Sequence, residues 1–222
     1  MLINPNSTLF AYVITRDFGF APNPFYGICT LATCKPKIRK GAKVGDWILG
    51  VGGRDLGTDI QGKCILLMKV SEKMSFEEYW NEPRFSLKKP CRNGSPLKML
   101  GDNIYHRDGV GNWIQEDSHH SNSDGTTNND NLKRDTGDCD QVLVSNNFFY
   151  FGNNPIPVDL GSINYKPGIG HKKIQFSSSA SAKQLVEMVY SKNKCNLNCV
   201  MSDPCQFMVS HQRVNQSTGV IY

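Results

Sequence analysis

The stretch that decides the fold is Val44-Gly45-Asp46-Trp47-Ile48-Leu49-Gly50-Val51-Gly52-Gly53. Gly45-Asp46 is typical of a turn, and the apolar run that follows it is typical of a buried strand. The two closing glycines predict a tight turn at the end of that strand. Because the run is apolar at successive positions, both of its faces are predicted to be covered, as in a central strand.

Other short apolar and aromatic runs predict the neighbours of this strand. Strands are predicted at 9–15, 30–34, 64–70, 142–144, 148–151 and 174–176, and a hairpin at 104–114. Ser75 and Glu78 have the spacing of a capping box and predict a short helix that Pro83 ends. An amphipathic helix is predicted from the spacing of Ala182, Leu185, Val186 and Val189, with Ser181 as its cap.

The segment at about 117–141 is polar and has Leu132 as its only sizeable aliphatic residue. Strands are predicted on both sides of it, so we interpret it as a long mobile loop inserted into a single domain, 1–222. The predicted fold class is α+β: a curved mixed β-sheet or partial barrel with two or three peripheral helices and this polar insertion.

Composition narrows the class of protein. The chain has 222 residues, 39% of them hydrophobic, a mean hydropathy of −0.41 and a net charge of +5. It has no apolar run of the roughly 20 residues that a membrane span needs, and its first residues do not resemble a signal peptide. We therefore expect a cytoplasmic protein without a membrane partner. The eight cysteines include no CxxC pair, so we interpret them as reduced thiols, assign no metal ligand and leave the cofactor unknown.

The best candidate for phosphate binding is the basic segment that begins at Lys35. We expect Pro36 to keep it extended, so that Lys35, Lys37 and Arg39 can follow a phosphate backbone. A solvated loop is the alternative. The other candidates for nucleotide binding are polar groups that could read a base edge and rings that could stack on a base, although each is also a normal core or turn residue: Asp17, Asn23, Asp46, Trp47, Trp113 and Tyr150.

A second group of candidates is catalytic. Asp117-Ser118-His119-His120 places a carboxylate and two imidazoles together, which suits acid–base chemistry or metal binding, and His171 follows two glycines in Gly168-Ile169-Gly170-His171. The catalytic candidates are therefore Asp117, His119, His120 and His171. The alternative is a polar loop with solvated histidines.

The order of several motifs resembles a known family. The segments 17–25, 29–39 and 44–48, followed by 117–120, 149–152 and 170–171, are similar to the second type of nucleotide-modification-associated domain, which is found in bacteria and phages. The resemblance implies a nucleotide context and no particular reaction. A looser likeness, in the Gly-Asp-Trp strand and the turn after it, is to small barrels that bind modified bases.

Three functions remain open at this point. The first is a binding module that recognises a modified base or a nucleotide, with nucleotide or nucleic acid as its partner. The alternative is an enzyme that modifies or hydrolyses a nucleotide or base through a His/Asp site. A third is a structural protein whose acidic segment, 116–140, docks on a partner.

Overall fold

The structure, a computed structural model, describes residues 2–213, and its centre is an open six-stranded mixed sheet. The strands lie in the order β10-β1-β3-β4-β9-β11, where β1 is Thr8–Ile14, β3 Trp47–Gly52, β4 Cys64–Lys69, β9 Phe148–Tyr150, β10 His171–Gln175 and β11 Cys199–Val200. The pairs β1/β3 and β9/β11 are parallel and the others antiparallel. The mixed open sheet confirms the α+β class, and within residues 2–213 it does not close into a barrel.

Two smaller sheets stand beside the large one. One has the order β2-β8-β5, formed by Cys29–Leu31, Val142–Ser145 and Glu72–Met74. The other is the hairpin of β6, Tyr105–Arg107, and β7, Trp113–Gln115. This hairpin confirms the prediction from its turn residues. The predicted strand at 30–34 is shorter than expected, because the chain turns away after Leu31.

Five α-helices accompany the sheets in the described chain: α1 (Pro36–Gly41), α2 (Phe76–Asn81), α3 (Pro96–Met99), α4 (Asn129–Thr136) and α5 (Ala180–Asn193). The capping box of α2 is present as predicted, since Glu78 N donates to Ser75 Oγ and Ser75 N donates to Glu78. The cap of α5 is Ser179 instead of the predicted Ser181, since Ser179 Oγ accepts from Ala182 N.

Two predictions of irregular structure were wrong. The basic segment after Lys35 is not extended, because Pro36 stands at the first position of α1, where a missing N–H costs nothing. The polar segment at 117–141 contains α4, which Asn128 caps. Asn131, Asp135 and Thr136 of this helix are buried, so it packs against the protein. Single-domain organisation and mobility of the polar segment stay predictions.

The large sheet has a core on each face, which follows from the alternation of side chains along β1. Leu9, Ala11 and Val13 pack with α5 on one face. Phe10, Tyr12 and Ile14 pack on the other face with α1 and the β2-β8-β5 sheet. Trp47 belongs to the α5 face, edge-on to Tyr190. The turn after β3 is a close backbone approach, since a Cβ on Gly52 would lie 2.3 Å from the Ile60 carbonyl oxygen.

No helix among the described residues is long and apolar enough to cross a membrane.

Candidate functional site

A cavity of about 230 Å³ opens on the α1 face of the sheet, where the end of β1 meets the loop that precedes α1. The residues around it are of three kinds: the strand end and its aromatic neighbours, three cationic side chains, and a cysteine with two histidines. In chain order they are Tyr12, Val13, Ile14, Thr15, Arg16, Phe18, Phe20, Ala21, Cys34, Lys35, His119, His120 and Arg134.

Cys34, His120 and Asp135 form a chain of contacts at this cavity. The Cys34 Sγ lies 3.7 Å from His120 Nε2, and His120 Nδ1 lies 3.0 Å from Asp135 Oδ2. His120 and Asp135 are buried, and Cys34 is partly exposed. Because the carboxylate accepts from Nδ1–H, the Nε2 atom that faces the thiol is free to take its proton. This is the order of groups in a cysteine nucleophile with a histidine base and an orienting carboxylate.

The Asp135 carboxylate is held by donors on both oxygens. Oδ1 accepts from Cys34 N at 2.9 Å and from Arg134 Nε at 2.9 Å. Oδ2 accepts from Tyr105 OH at 2.9 Å and from Arg134 Nη2 at 3.0 Å, besides His120. Burial alone would raise the pKa of Asp135, but these contacts with His120 and Arg134 bring it far below its usual range. Asp135 is therefore a buried anion that orients His120.

The backbone at Cys34 has an uncommon conformation. Cys34 and Lys35 have φ of 55° and 42°, in the left-handed region that side chains rarely adopt. Each such residue costs on the order of 1–3 kcal/mol and persists where its surroundings impose it. The contacts that impose it here are Cys34 N with Asp135 and Cys34 O with Arg39 Nε at 2.8 Å.

The charges around Cys34 favour a thiolate. Burial opposes ionisation of the thiol, but the Arg134 guanidinium and the His120 ring bring the pKa of Cys34 below 9.0. Burial also opposes protonation of His120, yet the Cys34 sulfur and Asp135 raise its pKa above 6.5. Both shifts point to a thiolate–imidazolium pair.

His119 lines the same cavity but differs from His120 in its protonation state. Its ring lies 4.4 Å from the Phe18 ring centroid and 5.2 Å from that of Phe20, and Nδ1 is 2.7 Å from the Gln212 carbonyl oxygen. The contact with a carbonyl requires Nδ1 to carry the proton. Burial, followed by the charge of His120, lowers the pKa of His119 to about 3. His119 is therefore a neutral imidazole whose Nε2 is an acceptor.

Of the predicted catalytic residues, the structure brings His119 and His120 together at the cavity. Asp117 is elsewhere, because its half-exposed carboxylate pairs with Arg213 at 2.8 Å. His171 is on the edge strand β10, with its ring 5.8 Å from that of Phe10, and does not line the cavity.

Of the predicted nucleotide-binding cations, only Lys35 lines the cavity; Lys37 is exposed on α1. Arg39 is fully buried and cannot contact a phosphate backbone. Its guanidinium donates to the carbonyl oxygens of Cys34, Asp135 at 2.6 Å and Gln141 at 2.7 Å. Arg39 thus joins the cysteine loop to α4 and positions both.

The remaining predicted nucleotide contacts serve the core. Asp17 accepts from Tyr150 OH at 2.5 Å, and both are buried. Burial raises the pKa of Asp17. Asn23 is buried, donates to Leu100 O at 2.8 Å and accepts from Lys88 Nζ at 2.7 Å.

Three further candidates are also engaged within the protein. Asp46 accepts from the amides of Thr8 and Lys43 and so closes the turn before β3. Trp47 is fully buried in the α5-face core. Trp113 is half-buried in the hairpin, with the Arg107 guanidinium 3.9 Å from its ring centroid.

Cys34 and Asp135 are the functional candidates that the sequence analysis missed. Cys34 was interpreted only as one of eight reduced thiols, and Asp135 was placed in a polar loop. His120 is 86 positions from Cys34 in the chain, and Asp135 is 101 positions from it. No local spacing relates the three, so a histidine and a carboxylate near a left-handed cysteine become visible only in the folded chain.

The same three side chains have ligand types that zinc accepts, and their ligand atoms lie within 4.8 Å of one another. The surroundings suit a proton relay better. The Asp135 oxygens already accept hydrogen bonds from Cys34 N, Tyr105 and Arg134, so they have little remaining capacity to bind a metal.

The fold and this cluster define a mixed α/β protein with a cysteine–histidine–aspartate site in a cation-lined cavity. A family model described as nucleotide modification associated domain 2 matches residues 6–211, so the chain belongs to that family. This confirms the resemblance drawn from the motifs, and the family's name associates the chain with nucleotide modification. Neither a curated protein nor a solved structure matches the chain.

Proposed function

We propose that this protein is an enzyme that acts on a nucleotide or base by nucleophilic attack of the Cys34 sulfur. The observation that carries the proposal is the contact chain from Cys34 Sγ through the His120 ring to the Asp135 carboxylate. Membership of a family named for nucleotide modification supports the nucleotide part. This favours the enzymatic alternative over recognition alone.

In the proposed step, the Cys34 thiolate, whose proton is already held by His120 Nε2, forms a bond to an electrophilic carbon of the substrate. The electron pair displaced from that carbon passes to the leaving atom, which takes the proton from His120. Water or a second acceptor then gives its proton to His120 Nε2 and attacks the same carbon, the carbon–sulfur bond breaks, and Cys34 leaves as the thiolate. Asp135 stabilises the imidazolium throughout and does not itself transfer a proton.

The first test measures the thiolate. Alkylation of Cys34 by iodoacetamide, followed across pH by mass spectrometry, is expected to rise with a midpoint below 9.0, because Arg134 and His120 stabilise the anion. In His120→Phe the midpoint is expected to move upward, since one cation is lost. Cys91, an exposed thiol in the same sample, is the reference and is expected to be unaffected by the variant.

The second test measures turnover. In a survey of nucleotides and oligonucleotides, Cys34→Ser is expected to abolish any product that the wild type forms, with the melting temperature retained. Cys91→Ser is the matched control and is expected to keep full activity. Turnover that survives Cys34→Ser, or stoichiometric zinc in the purified protein that is lost from Cys34→Ser, would contradict the proposal.

A second candidate function is recognition without chemistry. The observation that favours it is the aromatic part of the cavity lining, where Phe18 and Phe20, 4% and 3% exposed, could contact a bound base. In that case Cys34→Ser would bind the same nucleotides as the wild type, no nucleotide would be turned over, and Cys34 would alkylate like Cys91.

A further inference from the structure

We propose that the substrate nucleotide reaches the cavity as part of a single-stranded nucleic acid, whose phosphates lie along a basic ridge formed by Lys35, Lys37, His171 and Lys173. This inference rests on the proposed function, because it takes the cavity as the place where the nucleotide reacts. The ridge would be a polymer-binding surface outside that cavity, so a free mononucleotide would bind more weakly than a single strand.

The pairing of β1 with β10 places the ridge on the correct face of the sheet. Tyr12 pairs with His171 and Phe10 pairs with Lys173 in the antiparallel register. Directly opposed residues point to the same face, so His171 and Lys173 share the face of Tyr12, which lines the cavity. Lys172 alternates to the other face.

Contacts join the two halves of the ridge. The Lys35 Nζ lies 5.1 Å from the Tyr12 ring centroid, and the Lys173 Nζ lies 5.5 Å from that of Phe10. Lys173 Nζ also comes within 3.1 Å of the position that a Cβ on Gly41 of α1 would take. Burial, and then the charges of Lys173, Lys37 and Lys35, lower the pKa of His171, which agrees with one electropositive surface.

Among residues 2–213, no salt bridge neutralises the lysines of the ridge. None of the salt bridges between described residues includes Lys35, Lys37 or Lys173. Lys37 and Lys173 are exposed. Cations that are grouped without carboxylate partners attract a polyanion.

The length of the ridge favours a strand over a single nucleotide. Lys35 is at the cavity, whereas Lys173 is about 6.8 Å further along β10 than His171. A nucleotide with its base in the cavity has its own phosphate near Lys35, so the outer cations are placed for the phosphates of its neighbours. Base extrusion from a strand into a pocket is an established way to expose a base to chemistry.

The test is fluorescence anisotropy with labelled single-stranded DNA and single-stranded RNA, competed by free mononucleotides. His171 is neutral near pH 7 because its pKa is lowered, so the charge on the ridge comes from its three lysines. If each lysine contacts one phosphate, the slope of log K against log salt is about −2.1, and binding weakens roughly 18-fold between about 50 and 200 mM salt. The double variant Lys37→Glu/Lys173→Glu is expected to reduce the magnitude of the slope by about 1.4.

The matched control is Lys192→Glu/Lys194→Glu, the same charge change at exposed positions at the end of α5, which covers the opposite face of the sheet. It is expected to leave binding unchanged. The ridge proposal is overturned if free mononucleotides compete as well as the strand at equal nucleotide concentration, if the strand does not bind, or if both double variants bind alike.

Cys34 alkylation in the same samples separates the two proposals. A lowered midpoint of Cys34 alkylation without binding of the strand supports the proposed cysteine enzyme and contradicts the ridge proposal. Binding that depends on the ridge lysines, together with a midpoint of Cys34 alkylation equal to that of Cys91, contradicts the proposed enzyme and supports the ridge proposal. DNA and RNA are separate arms, and the tighter of the two identifies the natural polymer.

Discussion

Acidification should destabilise this protein through His119, and the size of the effect follows from its surroundings. The side chain is 3% exposed, and its pKa falls to about 3 from an ordinary value of 6.5. Below pH 6.5 the unfolded chain binds a proton at His119 that the folded chain does not accept. The stabilisation is therefore complete above pH 6.5 and is lost progressively as the pH falls towards 3.

The loss is about 1.36 kcal/mol for each pH unit in that window, so the His119 contribution at pH 4.5 is about 2.7 kcal/mol smaller than at pH 7.5. For a chain of this size the loss corresponds to a melting temperature lower by about 5–11 °C. The contribution of His120 is constant below pH 6.5, because its folded pKa is raised and its stabilisation is fully present there; above pH 6.5 it declines as the pH rises towards the folded pKa.

The assay is urea unfolding at a series of pH values from about 7.5 to 4.5, for the wild type and His119→Phe. Phenylalanine keeps an aromatic ring against Phe18 and Phe20 but cannot titrate, so its stability should fall less steeply with pH. It also leaves the Gln212 carbonyl without its donor, a cost of about 1–3 kcal/mol that does not depend on pH. His211→Gln, at an exposed histidine, is the control and should keep the wild-type slope. Parallel curves for the wild type and His119→Phe would refute the assignment of a buried neutral histidine.

Two further predictions concern the groups that hold the cysteine site. Asp135→Asn is expected to lower the free energy of unfolding, measured in urea, by about 3–5 kcal/mol, because it leaves the Arg134 and His120 cations without their buried anion. The control, Asp130→Asn at the exposed start of α4, should change this free energy little. Equal effects of the two substitutions would count against the buried-anion role. Arg39→Met removes the hydrogen bonds that the guanidinium donates to the carbonyls of Cys34, Asp135 and Gln141. We therefore expect the free energy of unfolding to fall by at least about 3 kcal/mol and Cys34 alkylation at neutral pH to be slower. The control, Lys40→Met on the exposed side of α1, should match the wild type. If Arg39→Met alkylated at the wild-type rate, Arg39 would have no positioning role.

The errors of the sequence analysis share a physical cause. Lys35, Lys37 and Arg39 alternate along the chain, which looks like one cationic strip if the segment is extended. The helix turns Arg39 inward, where backbone carbonyls replace the expected phosphates. Asp135 was assigned to a loop because its neighbours are polar, yet Asn128 caps a helix there and Asp135 is buried against His120.

The sequence by itself determined the features that depend on residues close together in the chain. The apolar runs predicted β1, β3, β4 and β9 of the large sheet and the end of β10, but not β11; the Ser75–Glu78 spacing predicted a capping box, and turn residues predicted the hairpin. Motif order, in 17–48 together with 117–120, 149–152 and 170–171, indicated the family. Each of these depends on local backbone preference or on one-dimensional order, which the chain carries without folding.

Only the tertiary structure decided the site. Whether a polar side chain faces a ligand or the core depends on which distant segment packs on it, and local patterning does not encode that choice. Asp17 and Asn23 were therefore indistinguishable from ligand-binding groups until their buried partners were seen. Cys34 lies beside His120 and Asp135 because α4 and the loop that precedes it pack against the loop before α1. These residues are 86 and 101 positions from Cys34 in the chain.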